Sequence, residues 1–391
     1  MTSTTTRLFA LALLLMSTTV AQAQDLAPEL QFGARGVVSG NVNIASGQTT
    51  SAVSDFSDTA LLVGARQKLF HDARGQLVIG FQFPDAESNL GQVFFHRVFV
   101  HLENQRNAFQ IGRTRLSSTL VEFPTLRDDD ALLFTDVVSP FSDGEDSEDS
   151  QFGNVIEAAR FLTPRLRLEL HGEHYTEADD ADDFSLNAAG LSLVYRVPES
   201  QRWNRKVLDH LGVSFDGFFT ERPGFDDAWD EMLKNVKVAA VLNVYPDPVH
   251  FVKLSHQTIY NVGFDETRRV TNFGEMARAR SVATFTSLAY TWRKYEWPTL
   301  RASLGAGYKT FPDLAETNQL TLLGNVFYRL GANFDVGVQV QQTWNSGDLE
   351  RLFERRSTGF KLALIYSVDQ RFNNQFDDRD SILNLEHGYV K

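Results

Sequence analysis

"RLRLELHGEHY", Arg165 to Tyr175, sets Leu166, Leu168 and Leu170 against Arg165, Arg167, Glu169, His171 and Glu173 at alternate positions. Successive side chains of an extended strand point to opposite faces, so this period of two predicts a strand with one apolar and one polar side. A helix would scatter the same residues around its surface. "TLRASLGAGYK" (299–309) repeats the scheme, with Leu300, Ala302, Leu304, Ala306 and Tyr308 opposed to Arg301, Ser303 and Lys309. In "NFDVGVQVQQTW" (333–344) Phe334, Val336, Val338 and Val340 oppose Asp335, Gln339 and Gln341. In "ELQFGARGVVSGNVNI" (29–44) the even positions are mostly apolar, and the odd ones include Gln31, Arg35 and Asn43.

Sixteen such segments are predicted, roughly 29–44, 56–70, 76–83, 91–102, 107–116, 151–162, 165–175, 184–196, 209–220, 234–245, 249–260, 279–291, 299–309, 317–329, 333–344 and 355–368. Most exceed the ~5–6 residues of an ordinary soluble strand and match the ~9–11 of a tilted membrane-crossing strand. The connections alternate as well. Short ones such as "HDARG", "ENQRN", "TPR" and "YPDP" alternate with longer polar ones at 45–55, 84–90, 117–150, 176–183, 221–233, 261–278, 310–316 and 345–354. Short periplasmic turns and longer external loops are the outer-membrane barrel pattern. The fold class predicted is therefore all-β: a transmembrane antiparallel β-barrel of about 16 strands, with a long acidic loop after strand 5. Aromatic rings near segment ends, among them Tyr175, Tyr195, Tyr245, Trp292, Tyr308 and Trp344, suit the two membrane–water boundaries.

Composition supports an exported chain of this kind. Of 391 residues 42% are apolar and 22% charged, which leaves room for a large ordered structure. Cysteine is absent, so disulfides and thiolate metal sites are excluded. A net charge of −13 disfavours nucleic acid as a partner. "MTSTTTRLFALALLLMSTTVAQAQ" reads as a secretory signal: Arg7, a nine-residue apolar run, then the small-x-small site Ala21-Gln22-Ala23. The predicted organisation is a signal peptide at 1–23, a barrel at 24–368, and 369–391 as a periplasmic tail. Ile382 to Val390 as the true closing strand is the alternative.

Charges on the lipid face of a barrel cost ~2–4 kcal/mol each at the midplane, so strand charges are assigned inward. The predicted pore-lining basic wall contains Arg35, Arg66, Arg97, Arg113, Arg165 and Arg167, with fewer inward acids such as Glu169, Glu173, Asp216 and Asp335. A wall this polar implies water inside. Between Ser117 and Ser150 ten acids stand against one base, Arg127. Strands of one pattern flank this stretch, so it interrupts one barrel instead of joining two domains. Its apolar parts, "ALLF" and "VVSPF", suit a segment that packs against a wall.

"FQIGRTRL" (109–116), with its Gly112-Arg113 pair before the longest loop, resembles the strand that precedes the constriction loop in general Gram-negative porins. "NVIEAARFLTPRLRLELHGEHY" (154–175) resembles the hairpin that follows that loop. The resemblance covers Asn107 to Tyr175, about 70 residues. It implies an outer-membrane protein in which the acidic loop folds into the lumen and faces the basic wall, with Arg113 on that wall. Glu122, Asp128, Asp129 and Asp130 are the predicted acidic pore-loop residues. It also implies a homotrimer. One departure is the C-terminus, which ends "ILNLEHGYVK" where porins usually end on an aromatic residue.

Other chemistry finds little support. His171 and His174, three apart on a strand, face opposite ways and cannot share one metal. "DGEDSED" lacks the spacing of the helix-loop-helix calcium motif. No G-x-S-x-G nucleophile signature and no Gly-rich phosphate loop occurs. The function expected is a passive outer-membrane diffusion channel for small hydrophilic solutes and ions, not an enzyme, with no cofactor and no metal. Its partners are outer-membrane lipid and the solutes it passes. A selective channel for anions such as phosphate or carboxylates is the first alternative, and a barrel enzyme or adhesin the second.

Overall fold

A computed structural model describes residues 27–45, 48–55, 60–69, 73–82, 94–115, 152–174, 188–196, 206–218, 233–244, 246–247, 249–262, 280–294, 297–314, 316–331, 333–347, 349–352, 355–373, 376 and 382. The predicted signal peptide and the acidic residues Glu122, Asp128, Asp129 and Asp130 lie outside the described residues.

The described strands are β1 (Glu29–Ala45), β2 (Gln48–Asp55), β3 (Ala60–Lys68), β4 (Arg74–Gln82), β5 (Phe94–Glu103), β6 (Asn107–Arg115), β7 (Phe152–Thr163), β8 (Leu166–His174) and β9 (Ala188–Arg196). They continue with β10 (Lys206–Phe218), β11 (Leu233–Val244), β12 (His250–Val262), β13 (Ser281–Lys294), β14 (Trp297–Thr310), β15 (Asn318–Arg329), β16 (Phe334–Ser346) and β17 (Arg356–Phe372). One short helix, α1 (Leu349–Leu352), sits between the last two. Among the described residues no helix is long and apolar enough to cross a membrane.

From β3 onward each strand pairs antiparallel with the next, and β17 pairs with β1 from Phe372↔Leu30 to Ser357↔Ala45. The ring is thereby closed, which leaves no unpaired sheet edge to face lipid. Seventeen strands fill sixteen positions, because β2 and β3 share one. β2 takes the Ser39–Ala45 half of β1 and β3 takes the Glu29–Arg35 half.

This corrects the reading of 45–55 as an external loop. "GQTTSAVSD" has the small polar residues of a loop, but β1 runs 17 residues and exposes a long edge of backbone donors and acceptors. Pairing with 48–55 satisfies them. The closing strand is β17, extended to Phe372. With both edges of β1 occupied, the ring needs nothing from 382–390 to close.

Each strand sorts its side chains as the period of two requires. On β15 Leu320, Leu322, Val326 and Tyr328 are exposed outside, whereas Thr321, Leu323, Asn325 and Phe327 are buried inside. β17 likewise exposes Leu362, Leu364 and Tyr366 and buries Ala363, Ile365 and Ser367. The outer surface is thus a belt of exposed large apolar groups, which is stable in hydrocarbon and unstable in water. The start of β1 at Glu29 and the end of β17 at Phe372 lie at the rim that carries the short turns.

Candidate functional site

The candidate site is the inner wall. Parity along each strand decides which side chains reach it, and the wall has two unlike halves. From β1 to β8 it is charged, with Glu29, Arg35, Arg66, Arg97, Glu157 and Arg167 all buried on the inner side. From β12 to β16 it is mostly neutral and polar, with Ser255, Gln257, Ser303, Thr321, Asn325 and Gln339.

Opposite charges on the wall are paired side by side. Glu29, fully buried, accepts from Arg66 Nη2 at 2.7 Å and from Gln31 Nε2 at 3.2 Å. Gln76 Nε2 donates to Gln31 Oε1 at 2.9 Å and extends the chain onto β4. Arg167 pairs with Glu169, and Arg74 with Glu103. On the far side Asp335 accepts from Arg329 Nε at 2.9 Å and lies 3.5 Å from Arg301 Nη2. Each such pair turns two charges into a local dipole and reduces the field the lumen feels.

Of the six arginines predicted for the wall, Arg35, Arg66, Arg97 and Arg167 stand on it, all less than 5% exposed. Two depart from the prediction. Arg165 is exposed in the turn between β7 and β8, its Nη1 3.4 Å from Tyr195 Oη. Strand parity continues past the last wall position there, but the strand does not. Arg113 pairs across the sheet with Val98 on one side and Asn154 on the other. Those neighbours are exposed on the outer side, and directly opposed residues share a face. The register therefore gives Arg113 the outward parity, one residue past Gly112, whose φ is 138°.

Sequence reasoning missed Glu29, Glu103 and Glu157 as wall acids. Glu157 sits on a strand of mixed pattern: Ile156 is outside and Glu157 inside, but Val155 and Ala159 are also inside and Asn154 and Arg160 outside. An apolar-out rule cannot read that strand. The wall also has an apolar patch no charge count reveals: Leu62, Val78 and Phe99 are inward, buried and in contact. Among the described residues, no three His, Asp or Glu side chains stand together as metal ligands.

Outside the strands, Arg280 and Asp313 join two connections at the long-loop rim. Arg280 donates its backbone N–H to Asp313 Oδ2 at 2.9 Å and its Nε to Oδ1 at 3.0 Å. The side-chain hydrogen bond from Arg280 lowers the Asp313 pKa to about 2 and raises that of Arg280.

The chain matches no family model and no curated protein. Its barrel resembles solved structures of outer-membrane channels. One is OprB of Pseudomonas putida, with TM-score 0.59 and 11% identity over 88% of this chain and 94% of that one. Another is the outer-membrane channel DcaP of Acinetobacter baumannii, with TM-score 0.57 and 12% identity over 88% of this chain and 98% of that one. A third is an anion-selective porin from Comamonas acidovorans, with TM-score 0.55 and 10% identity over 87% and 99%. At these identities the likeness is one of fold: a closed porin-type barrel with an apolar outside and a polar inside.

Proposed function

We propose that this chain is an outer-membrane porin of a Gram-negative envelope, exported by residues 1–23, that lets small hydrophilic solutes and ions diffuse passively. The observation that carries the reading is the sorting of one closed ring into an apolar belt outside and ionised groups inside. Charged side chains on an inner wall are costly unless water or counter-charge meets them, which suits a conduit and not a packed core. Rings of wall charge then bias which ions pass. The part of the acidic loop from Glu122 to Asp130 faces Arg35 and Arg97 in this proposal, giving a transverse field at the narrowest point.

Purified protein in planar bilayers tests this. Stepwise conductance is the expected result, and protein that is folded but gives no steps refutes the channel. Removal of 125–150 should change conductance and selectivity. If neither moves, the loop is not a constriction. The runner-up, a selective anion channel, draws support from inward Lys237 on β11 and Lys309 on β14 and from the anion-selective neighbour. Reversal potential under a salt gradient separates the two.

A homotrimer is the second part of the proposal. Across β11 to β14 the outward row at one level is Ala240, His256, Thr286 and Ala306. His256 Nδ1 lies 2.8 Å from Thr286 Oγ1, its Nε2 3.1 Å from Thr258 Oγ1, and Thr258 Oγ1 3.2 Å from Thr284 Oγ1. Small and hydroxyl residues suit contact between membrane-embedded surfaces better than contact with lipid tails.

A further inference from the structure

The last strand ends at Phe372, and the chain does not continue along the barrel. Asn373 has φ 61°, a left-handed conformation that Asn tolerates better than most residues. Its Nδ2 donates to Ala27 O at 2.7 Å, which ties this bend to the segment before β1. Two residues beyond the bend are placed against the inner wall. The Phe376 ring lies under the Arg66 guanidinium at 4.2 Å, with Lys68 Nζ at 5.7 Å, and its backbone N–H donates to Glu29 Oε2 at 3.3 Å. Ile382 is fully buried in one cluster with Leu62, Val78 and Phe99.

The wall is shaped to receive it. Gly64, Val78 and Phe99 stand in register across β3, β4 and β5. A Cβ on Gly64 would come within 2.6 Å of Ile382 Cδ1, so the glycine leaves the space the isoleucine occupies. Polar groups border the patch on both sides: Arg97 above it, and Arg66 with Gln76 below. Three adjacent apolar side chains on a wetted wall are unfavourable unless something apolar covers them. Gly64 is four residues from Lys68 at the end of β3, about 13 Å along the strand at ~3.3 Å per residue.

We infer that Phe376 and Ile382, beyond the end of β17, form a lumenal plug, with Ile382 seated on Leu62, Val78 and Phe99, that narrows the conduit from the short-turn end. The inference rests on the channel reading. Glu29 is its organising residue, since one buried carboxylate holds Arg66, Gln31 and the Phe376 N–H together.

The absence of cysteine makes a clean test. In the full chain, Leu62→Cys with Ile382→Cys is treated with a short thiol-reactive cross-linker, and folding is checked by mobility on unheated gels. Efficient intramolecular linkage is expected, and its absence in folded protein overturns the seating. Single-channel conductance is then recorded for wild type, Gly64→Leu, which fills the seat, and Ile382→Asp, which makes it unfavourable. Both variants should conduct more than wild type, and the cross-linked pair should not. Conducting wild type with unchanged variants overturns the plug and leaves the channel standing. Silence from wild type and all variants alike overturns both.

Discussion

Leu304→Arg tests the physical basis of the fold most directly. Leu304 is 67% exposed on the outer face of β14, a strand of 14 residues from Trp297 to Thr310. At ~3.4 Å rise per residue and ~40° tilt the strand climbs about 34 Å. Leu304 then lies about 18 Å above the start, close to the middle of a hydrocarbon layer of ~30 Å. An outward Arg at the midplane costs ~2–4 kcal/mol. That is a loss of about 30- to about 900-fold in the folding equilibrium. The matched control is Gln341→Arg, on the inner face of β16, where the native side chain is half-buried and its Nε2 is 3.2 Å from Thr343 Oγ1. Losing that hydrogen bond costs about 1 kcal/mol. Reversible unfolding in denaturant, measured in lipid vesicles by tryptophan fluorescence, reads both. Equal losses for the two variants would refute the assignment of an apolar outside and a wet inside. A larger loss at Gln341 would mean the barrel had been read inside out.

Gly337→Ala should destabilise by ~1–3 kcal/mol through overpacking, because the added methyl overlaps the ring of Phe327, itself buried against Ala363 and Ile365. The midpoint of denaturant unfolding reads it, and a neutral result would show that the Phe327 ring is free to move. The Arg280–Asp313 clip should persist through mild acid. A carboxyl depressed to about 2 favours the native loop at pH above its ordinary range near 3.8, and that preference is lost only as pH falls towards 2. Protease protection of the 311–317 connection, followed from pH 6 to 2, should therefore fall between about pH 4 and 2. In Asp313→Asn it should be low throughout. Ala306→Trp should convert trimer to monomer on native gels while each monomer still conducts; an unchanged trimer would place the contact elsewhere on the barrel.

What was legible in the sequence was the facing of side chains where both sides of a strand obey one rule. β8, β14 and β16 do so, and their inward residues Arg167, Arg301, Lys309 and Asp335 were all readable. β7 breaks the rule, because Arg160 is tolerated outside near the short-turn rim, where a long side chain can reach water. β2 was hidden for a different reason. Its residues "QTTSAVSD" have weak patterning of their own and are held by pairing with an unusually long β1, which is information from another part of the chain. Arg113 was expected on the wall from the resemblance and from the inward assignment of strand charges. Phe109 and Ile111, exposed on the same strand, fix its side.

The charges of the wall show why residue counts mislead about a pore. Inward bases are visible from parity alone, and a list of them suggests a strongly basic conduit. Their partners are set by register: Glu29 meets Arg66 because β1 and β3 align those two residues, 37 positions apart in the chain. Asp335 meets Arg329 for the same reason, across β15 and β16. Breaking one partner of such a buried pair leaves the other charge uncompensated, so the acids control the field as much as the arginines do. Glu29→Gln is thus the more informative change than any arginine substitution. It leaves the Arg66 charge uncompensated beside the lumen and leaves one acceptor oxygen where Arg66, Gln31 and the Phe376 N–H share two. Anion preference and conductance should therefore rise together if the wall field and the C-terminal plug are both organised by this carboxylate. A shift of selectivity at constant conductance would separate the two and assign Glu29 to the field alone.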